Sequence, residues 1–327
     1  MYKEFFVNKG WTVFDLHKRS LLFSKTDGGL KNIVTKNTKT KAIDMSAVKA
    51  FKLFKDKTTC FFLSILGKLN ELQPKNIFDG FGNNSFVGSG REVFQGHFYN
   101  NEPMPKTPSI IYQPSVRLRF DFIDINYDAC DPFYYSSIAF TNVSIINIIK
   151  DEKDYVISVD NMISYLSSLG IYADRIKFVV SGDFVVLKNT SLTPIIFYVD
   201  DLEVADVVFI HNSNTKQTFV EYGFSFERVA ACVLKTNYIG LMAVSDHHLA
   251  ILSNFFVLLS ASGYDRINKG AKSKLNNLRE KLIKYSSYDS YSLLRNFYDY
   301  WEAVDKNIFP LVYTLDEYQK IIKIADE

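Results

Sequence analysis

An α+β domain followed by a helical domain is what the amino-acid sequence predicts, and three observations carry it. Beyond residue 110, short runs rich in Val, Ile, Phe and Tyr follow one another at strand lengths, some with period-two alternation. A helical pattern over Val159–Leu169 interrupts them. From Asp246 to Ile324 the apolar spacing becomes that of long helices. The division predicted is residues 1–243 for the α+β unit and 244–327 for the helical one, and 327 residues at 47% hydrophobic suffice for both cores.

In chain order, residues 2 to 9 read as an amphipathic helix stopped by Gly10, and Trp11–Phe14 and Ser20–Ser24 as strands. Val34–Lys41 suits an exposed loop, and residues 42 to 70 look helical or mixed. Gly80-Phe-Gly-Asn-Asn-Ser-Phe-Val-Gly-Ser-Gly90 is a glycine-rich stretch whose backbone N–H groups could meet phosphate. No Lys-Ser/Thr pair closes it as a P-loop would, so an ordinary loop competes. Ser115–Asp124 and Tyr134–Ile149 make an expected antiparallel pair. Ile176–Leu187, Thr193–Val199 and Val207–Ile210 are further strands, and Glu227–Leu234 is apolar at helical spacing.

Composition narrows the classes. With 38 Lys and Arg against 36 Asp and Glu, no global field demands a nucleic acid or a membrane, so a polyanion site must be local. Three separated cysteines, Cys60, Cys130 and Cys232, without a C-x-x-C pair argue against zinc or a disulfide framework and fit a reducing cytosol. No secretory leader is expected from the first ten residues, and Leu249–Ala261 is too short to span a bilayer and reads as a buried helix.

Two constellations could carry chemistry. Arg117 and Arg119, with Asp121, share one face of their predicted strand, and guanidiniums on a sheet face call for anions such as the phosphates of ATP. Pairing with Asp121 or Glu221, or plain solvent exposure, would satisfy them equally well. Gly223, followed five residues later by Arg228 at a helix start, would let a flat ligand approach the strand and find a guanidinium to stack on. An ordinary helix cap is the competing reading.

These pieces occur in the order in which they stand in the N-terminal half of alanyl-tRNA synthetases, a family of class II aminoacyl-tRNA synthetases. Phe5-Phe-Val-Asn-Lys-Gly-Trp-Thr-Val-Phe14 with Leu21-Leu-Phe-Ser resembles the family's opening helix, Gly-His-x-x-Val step and Leu-Leu-Phe-Thr. Gln113-Pro-Ser-Val-Arg117 is similar to Gln-x-Cys-Ile-Arg, with Asp124 falling in the Asp-x-Asp/Glu stretch and Tyr134-Tyr-Ser-Ser on His-His-Thr-Phe. Glu203-Val-Ala-Asp-Val-Val-Phe-Ile210 resembles Glu-x-Trp-Asn-x-Val-Phe-Met, and Glu221-Tyr-Gly-Phe-Ser-Phe-Glu-Arg228 resembles Asp-Thr-Gly-x-Gly-x-Glu-Arg. Ser245-Asp-His-His248 with Asn268-Lys-Gly270 looks like the opening of the family's helical middle domain. The likeness spans roughly residues 2 to 285, with an insertion within about 34–108.

The resemblance implies an antiparallel sheet flanked by helices and a site that takes ATP, Mg²⁺ and an amino acid. On it, Arg117 and Arg228 are the catalytic cations. Arg117, Arg119, Asp124, Phe140 and Arg228 hold the nucleotide, and Glu221, Gly223, Asp206 and Val208 hold the amino acid. The chain departs from the pattern at Ala139, where the family has glutamate, at Ala205 in place of Trp, at Glu221 for Asp, at Ser225 for Gly and over Asn189–Pro194. The family's editing and tRNA-elbow domains have no counterpart, so no proofreading of that kind is expected.

Lys269, Lys272 and Lys274, continued by Arg279, Lys281 and Lys284, could track the phosphates of a tRNA acceptor arm, or form a solvated helix face. His247 and His248 fit a structural place at the domain junction. The expected function is activation of an amino acid as its adenylate, for transfer to tRNA or to a small-molecule acceptor, in the cytoplasm. A synthetase paralogue that binds tRNA without adenylation is the alternative, and a regulatory protein pairing with a second copy or another subunit is a third.

Overall fold

The structure, a computed structural model, describes residues 1–16, 20–25, 45–80, 86–99, 102, 105, 107–117, 138–181, 184–234, 247–266, 275, 276, 278–283 and 291–323. It is a mixed α/β arrangement built on one large, mostly antiparallel sheet. In chain order its strands are β1 (Thr12–Asp15), β2 (Leu21–Ser24), β3 (Asn70–Leu72), β4 (Ser109–Val116), β5 (Ala139–Ile149), β6 (Ile176–Val180), β7 (Val185–Leu187), β8 (Thr190–Val199), β9 (Leu202–Asn212) and β10 (Gln217–Ser225). They lie side by side as β1-β2-β6-β8-β9-β10-β5-β4-β3, with β7 paired to the start of β8 and β3 running parallel to β4.

The helices are α1 (Tyr2–Asn8), α2 (Ala47–Leu66), α3 (Gln95–Tyr99), α4 (Lys153–Ser168), α5 (Phe226–Leu234), α6 (His247–Ser262), α7 (Tyr291–Val304) and α8 (Leu311–Lys323). Local chemistry sets several ends. Ser46 caps α2 by accepting the Lys49 N–H, and Gly67 closes it at φ 72°. The β8–β9 hairpin turns on Asp200 and Asp201, at φ 48° and 69°, a pair of left-handed residues whose twist matches that of the sheet.

Period-two alternation divides the sheet into two faces. On one, Ile110, Ile145, Val207, Val220 and Tyr222 pack under α2, α4, α6 and α7 in a single apolar cluster that also takes in Leu278 and Leu282. On the other, Ile111, Ile146, Val208, Ile210 and Phe219 are covered by Phe94 and Phe98, from the short 3₁₀ turn Gly90–Phe94 and α3. That cover reaches across only part of the face.

Three sequence expectations shift. The strand expected over Ser115–Asp124 is instead Ser109–Val116, every residue of which is buried. An inner strand covered on both faces shows no alternation to mark it, and residues 118–137 lie outside those described. Helix α4 begins at Lys153 rather than near Asp160, because the Asp154 carboxylate accepts the N–H groups of Lys150 and Asp151 and seals the first turn. β8 starts before Thr193, and Pro194 falls between the residues that pair with β7 and those that pair with β6, where that edge has no partner. The helix expected at Leu249–Ala261 is the buried centre of α6, and among the described residues no helix is long and apolar enough to cross a membrane.

Candidate functional site

The face covered by residues 90–99 continues past the end of its cover, and there the side chains change from apolar to charged. Cross-strand register dictates the sequence of groups: Phe219, Glu221, Gly223 and Ser225 on β10 lie beside Ile146, Ser144 and Asn142 on β5, and beside Ile210, Val208 and Asp206 on β9. Beyond the cover opens a cleft bounded by Arg117, Phe140, Asn142, Glu203, Asp206, Gly223, Ser225 and Arg228, together with Val204, Ala205 and Phe224.

Each wall has its own origin. Arg117 follows directly after β4; its Nε donates to the Gly88 carbonyl at 2.8 Å and its guanidinium lies 5.0 Å from the centre of the Phe140 ring. Arg228 stands in the first turn of α5, where its Nη1 donates to the Glu203 carbonyl at 2.8 Å. Ser225 is the cap of that helix. Asp206 faces Gly223 across the β9–β10 ladder. A β-carbon at 223 would sit 2.2 Å from Asp206 Oδ1, so the carboxyl occupies the space that the glycine leaves.

Asp206 is the acid of this cleft. Burial, then the neighbouring Glu221, push it up to about 7 against the opposing pull of Arg91 and Arg117.

Five of the residues singled out in the sequence thus meet: Arg117, Phe140, Asp206, Gly223 and Arg228. Two others do not reach the cleft. Val208 is 3% exposed and packs beneath Phe94 and Phe98 in the covered apolar cluster. Glu221 is also 3% exposed and already partnered: Arg91 Nη1 donates to its Oε2 at 3.0 Å and Ser144 to its Oε1 at 2.8 Å. The cation expected on Glu221 is therefore supplied by the protein itself. Arg119, Asp124, Lys269, Lys272 and Lys274 lie outside the described residues, as do the side chains of His247 and His248.

Arg91 and Asn142 carry no signal in the sequence beyond the glycine-rich stretch, whose end is pinned to the sheet beside the cleft. The Gly88 N–H reaches Glu92 and the Gly90 N–H reaches Asn142, and a β-carbon at Gly90 would lie 2.8 Å from Ile111 and Ser144. Glycine is required there for close packing rather than for phosphate. Arg91→Met is expected to destabilise the fold by about 2 kcal/mol by leaving Glu221 without its cation, less than a fully buried pair would lose, because Arg91 is 30% exposed; urea denaturation measures it.

Beneath the cleft lies Glu227, completely buried. Its Oε1 accepts the Thr141 N–H and the Tyr300 hydroxyl, each at 2.7 Å, and its Oε2 accepts the Ser225 hydroxyl at 2.7 Å. Burial nevertheless pushes its carboxyl up to about 7, the three donors holding it lower than burial alone would.

The donor set does not suit a protein-held Mg²⁺. Among the described residues no three His, Cys, Asp or Glu side chains are arranged to hold a metal ion. The cleft offers guanidiniums and the carboxyls of Asp206 and Glu203 rather than an oxygen cage, so no step is assigned to such a metal. The sequence matches no protein-family model and no curated protein.

Proposed function

We propose that the cleft binds a nucleoside triphosphate together with an amino acid and joins them as an aminoacyl-adenylate, in the manner of a class II aminoacyl-tRNA synthetase. The observation that carries this is the meeting of Arg117 and Arg228, more than a hundred positions apart in the chain, with the carboxyls of Asp206 and Glu203 in a single cleft. Two guanidiniums suit the spread negative charge of a polyphosphate, and an acid in the same cleft suits the ammonium of a zwitterion whose carboxylate turns toward a guanidinium. The plane of Arg228 provides a flat surface for a base.

In this reading the amino acid carboxylate oxygen attacks the α-phosphorus, the bond to the β-phosphate oxygen breaks, and pyrophosphate leaves with the electron pair. No side chain becomes covalently attached. Arg117 and Arg228 offset the charge gathering on the phosphoryl oxygens, and Asp206 fixes the ammonium so that the attacking oxygen is held in line. Mg²⁺ would arrive on the triphosphate and neutralise part of its charge. Transfer to tRNA or to a small-molecule acceptor completes the reaction.

The test is amino-acid-dependent ATP–pyrophosphate exchange with a panel of amino acids. Exchange by the wild type, reduced by about a hundredfold or more in Arg117→Ala and Arg228→Ala, is the expected result. Absence of exchange with every amino acid, with ATP binding also absent by calorimetry, removes the reading.

A second reading has its own support. With Glu221 closed off by Arg91, the amino acid end of the site is partly filled by the protein's own side chain. A paralogue that binds nucleotide or RNA without forming an adenylate would look the same, and ATP binding without exchange selects it.

A further inference from the structure

We propose that Tyr300, on helix α7, is a positioning residue for the cleft: through Glu227 it fixes the junction of β10 and α5, and with it Ser225 and Arg228. For its binding readout the inference rests on the nucleotide reading above.

The chain of contacts is short and wholly buried. The Tyr300 hydroxyl, at 0% exposure, donates to Glu227 Oε1 at 2.7 Å and receives the Thr141 hydroxyl at 2.6 Å. The same carboxylate oxygen accepts the Thr141 N–H, which ties β5 to the start of α5. Glu227 Oε2 then takes the Ser225 hydroxyl, so the side chain that caps α5 is oriented from below. Ser225 and Arg228 both line the cleft and flank Glu227 in sequence. A displacement of Glu227 therefore moves two cleft groups at once.

Tyr300 is itself held firmly. Its ring packs against Phe51, Phe226 and Trp301, and the Trp301 indole N–H donates to Asn254 on α6 at 2.8 Å. Helix α7 rests on α6, α2 and β4, so the hydroxyl is presented by a rigid element rather than by a loop. The groups facing Glu227 are thus Ser225, Thr141 and Tyr300, with the rings of Phe226 and Phe51 around Tyr300. A residue whose only task was to fill the core would need the ring and not the hydroxyl; the hydroxyl is what reaches Glu227 beneath the cleft.

The experiment uses the full chain with Tyr300→Phe, which keeps the ring, and Thr141→Val, which removes the hydroxyl that orients the Tyr300 O–H. Two quantities are read: ATP affinity by calorimetry, and amide hydrogen exchange of the segments 139–142 and 225–229. The expected result is an affinity about tenfold weaker in Tyr300→Phe, the worth of one hydrogen bond to a charged group. Exchange should be faster in those two segments and unchanged across α7.

Adding Tyr300→Phe to Arg228→Ala should weaken binding by clearly less than the loss seen in Tyr300→Phe alone, because part of that loss acts through the Arg228 guanidinium. If the two losses simply add, or if both exchange and affinity stay at wild-type values, the proposal is overturned. Faster exchange at the junction in a protein whose wild type binds no ATP upholds the positioning role and removes the nucleotide reading. Thr141→Val should show the same exchange signature, and unchanged exchange there counts against the proposal even if Tyr300→Phe folds poorly.

Discussion

Glu227→Ala is expected to lower folding stability by about 4 kcal/mol at pH 5, because the Thr141 N–H and the hydroxyls of Tyr300 and Ser225 lose their common partner in a fully buried site. At pH 8 the loss should be distinctly smaller. The sign follows from the raised carboxyl, which in the folded protein titrates near 7 against an ordinary value of 4.5. Below 4.5 both folded and unfolded chains hold the proton and the contribution is fully present. As pH rises from 4.5 to 7 the unfolded chain releases its proton while the folded one keeps it, so stability falls, by about 3 kcal/mol over the window.

Alanine removes that penalty along with the hydrogen bonds. Glu227→Gln keeps an acceptor for Thr141 and Tyr300 and cannot ionise, so its stability should vary less between pH 5 and pH 8 than that of the wild type. Urea denaturation at the two pH values measures both variants. Equal losses for Glu227→Ala at the two pH values would show that the carboxyl is not raised. Asp206, raised in the same direction, adds to the wild-type slope and stays in both variants, so the comparison isolates Glu227.

The second large effect is expected at Gly223. Strand β10 lies between β9 and β5, with ladders on both edges, so its backbone cannot retreat. The β-carbon of Gly223→Val would stand 2.2 Å from Asp206 Oδ1 and 3.3 Å from its Cγ, and the short Asp206 side chain must swing away into the cleft. Overpacking of this kind costs about 2–3 kcal/mol. Ligand binding should suffer more, since the displaced carboxyl blocks the space between Arg117 and Arg228; a loss of ATP affinity of about a hundredfold or more is expected by calorimetry. Combining Gly223→Ala with Asp206→Ala should restore most of the stability lost by Gly223→Ala alone, because the clash has a single partner. If the double variant is as unstable as the sum of the two, the clash is not the cause.

Much of this site is legible in the chain itself. Residues 219, 221, 223 and 225 share a face because side chains alternate along a strand, and that rule alone aligns Gly223 with Glu221. Arg228 at the head of a helix following that strand is equally local, since a cap and an apolar spacing of 3.6 mark it. The resemblance to alanyl-tRNA synthetases implied one site for Arg117, Asp206, Gly223 and Arg228, and the cleft brings those four together.

What the sequence could not determine is which of the groups on that face remain open to a ligand. Glu221 and Val208 obey the same alternation as Gly223 and Asp206, yet the cover at residues 90–99 buries the first pair and stops short of the second. Arg91 meets Glu221 across 130 positions and Tyr300 meets Glu227 across 73, and no periodicity spans such distances. By itself the sequence determined most of the strands and helices and the face each side chain takes, because these follow from neighbours along the chain. Only the tertiary structure decided that Glu221 is neutralised from within and that Asp206 is left as the acid of the cleft, because burial and charge pairing depend on segments that meet solely through folding.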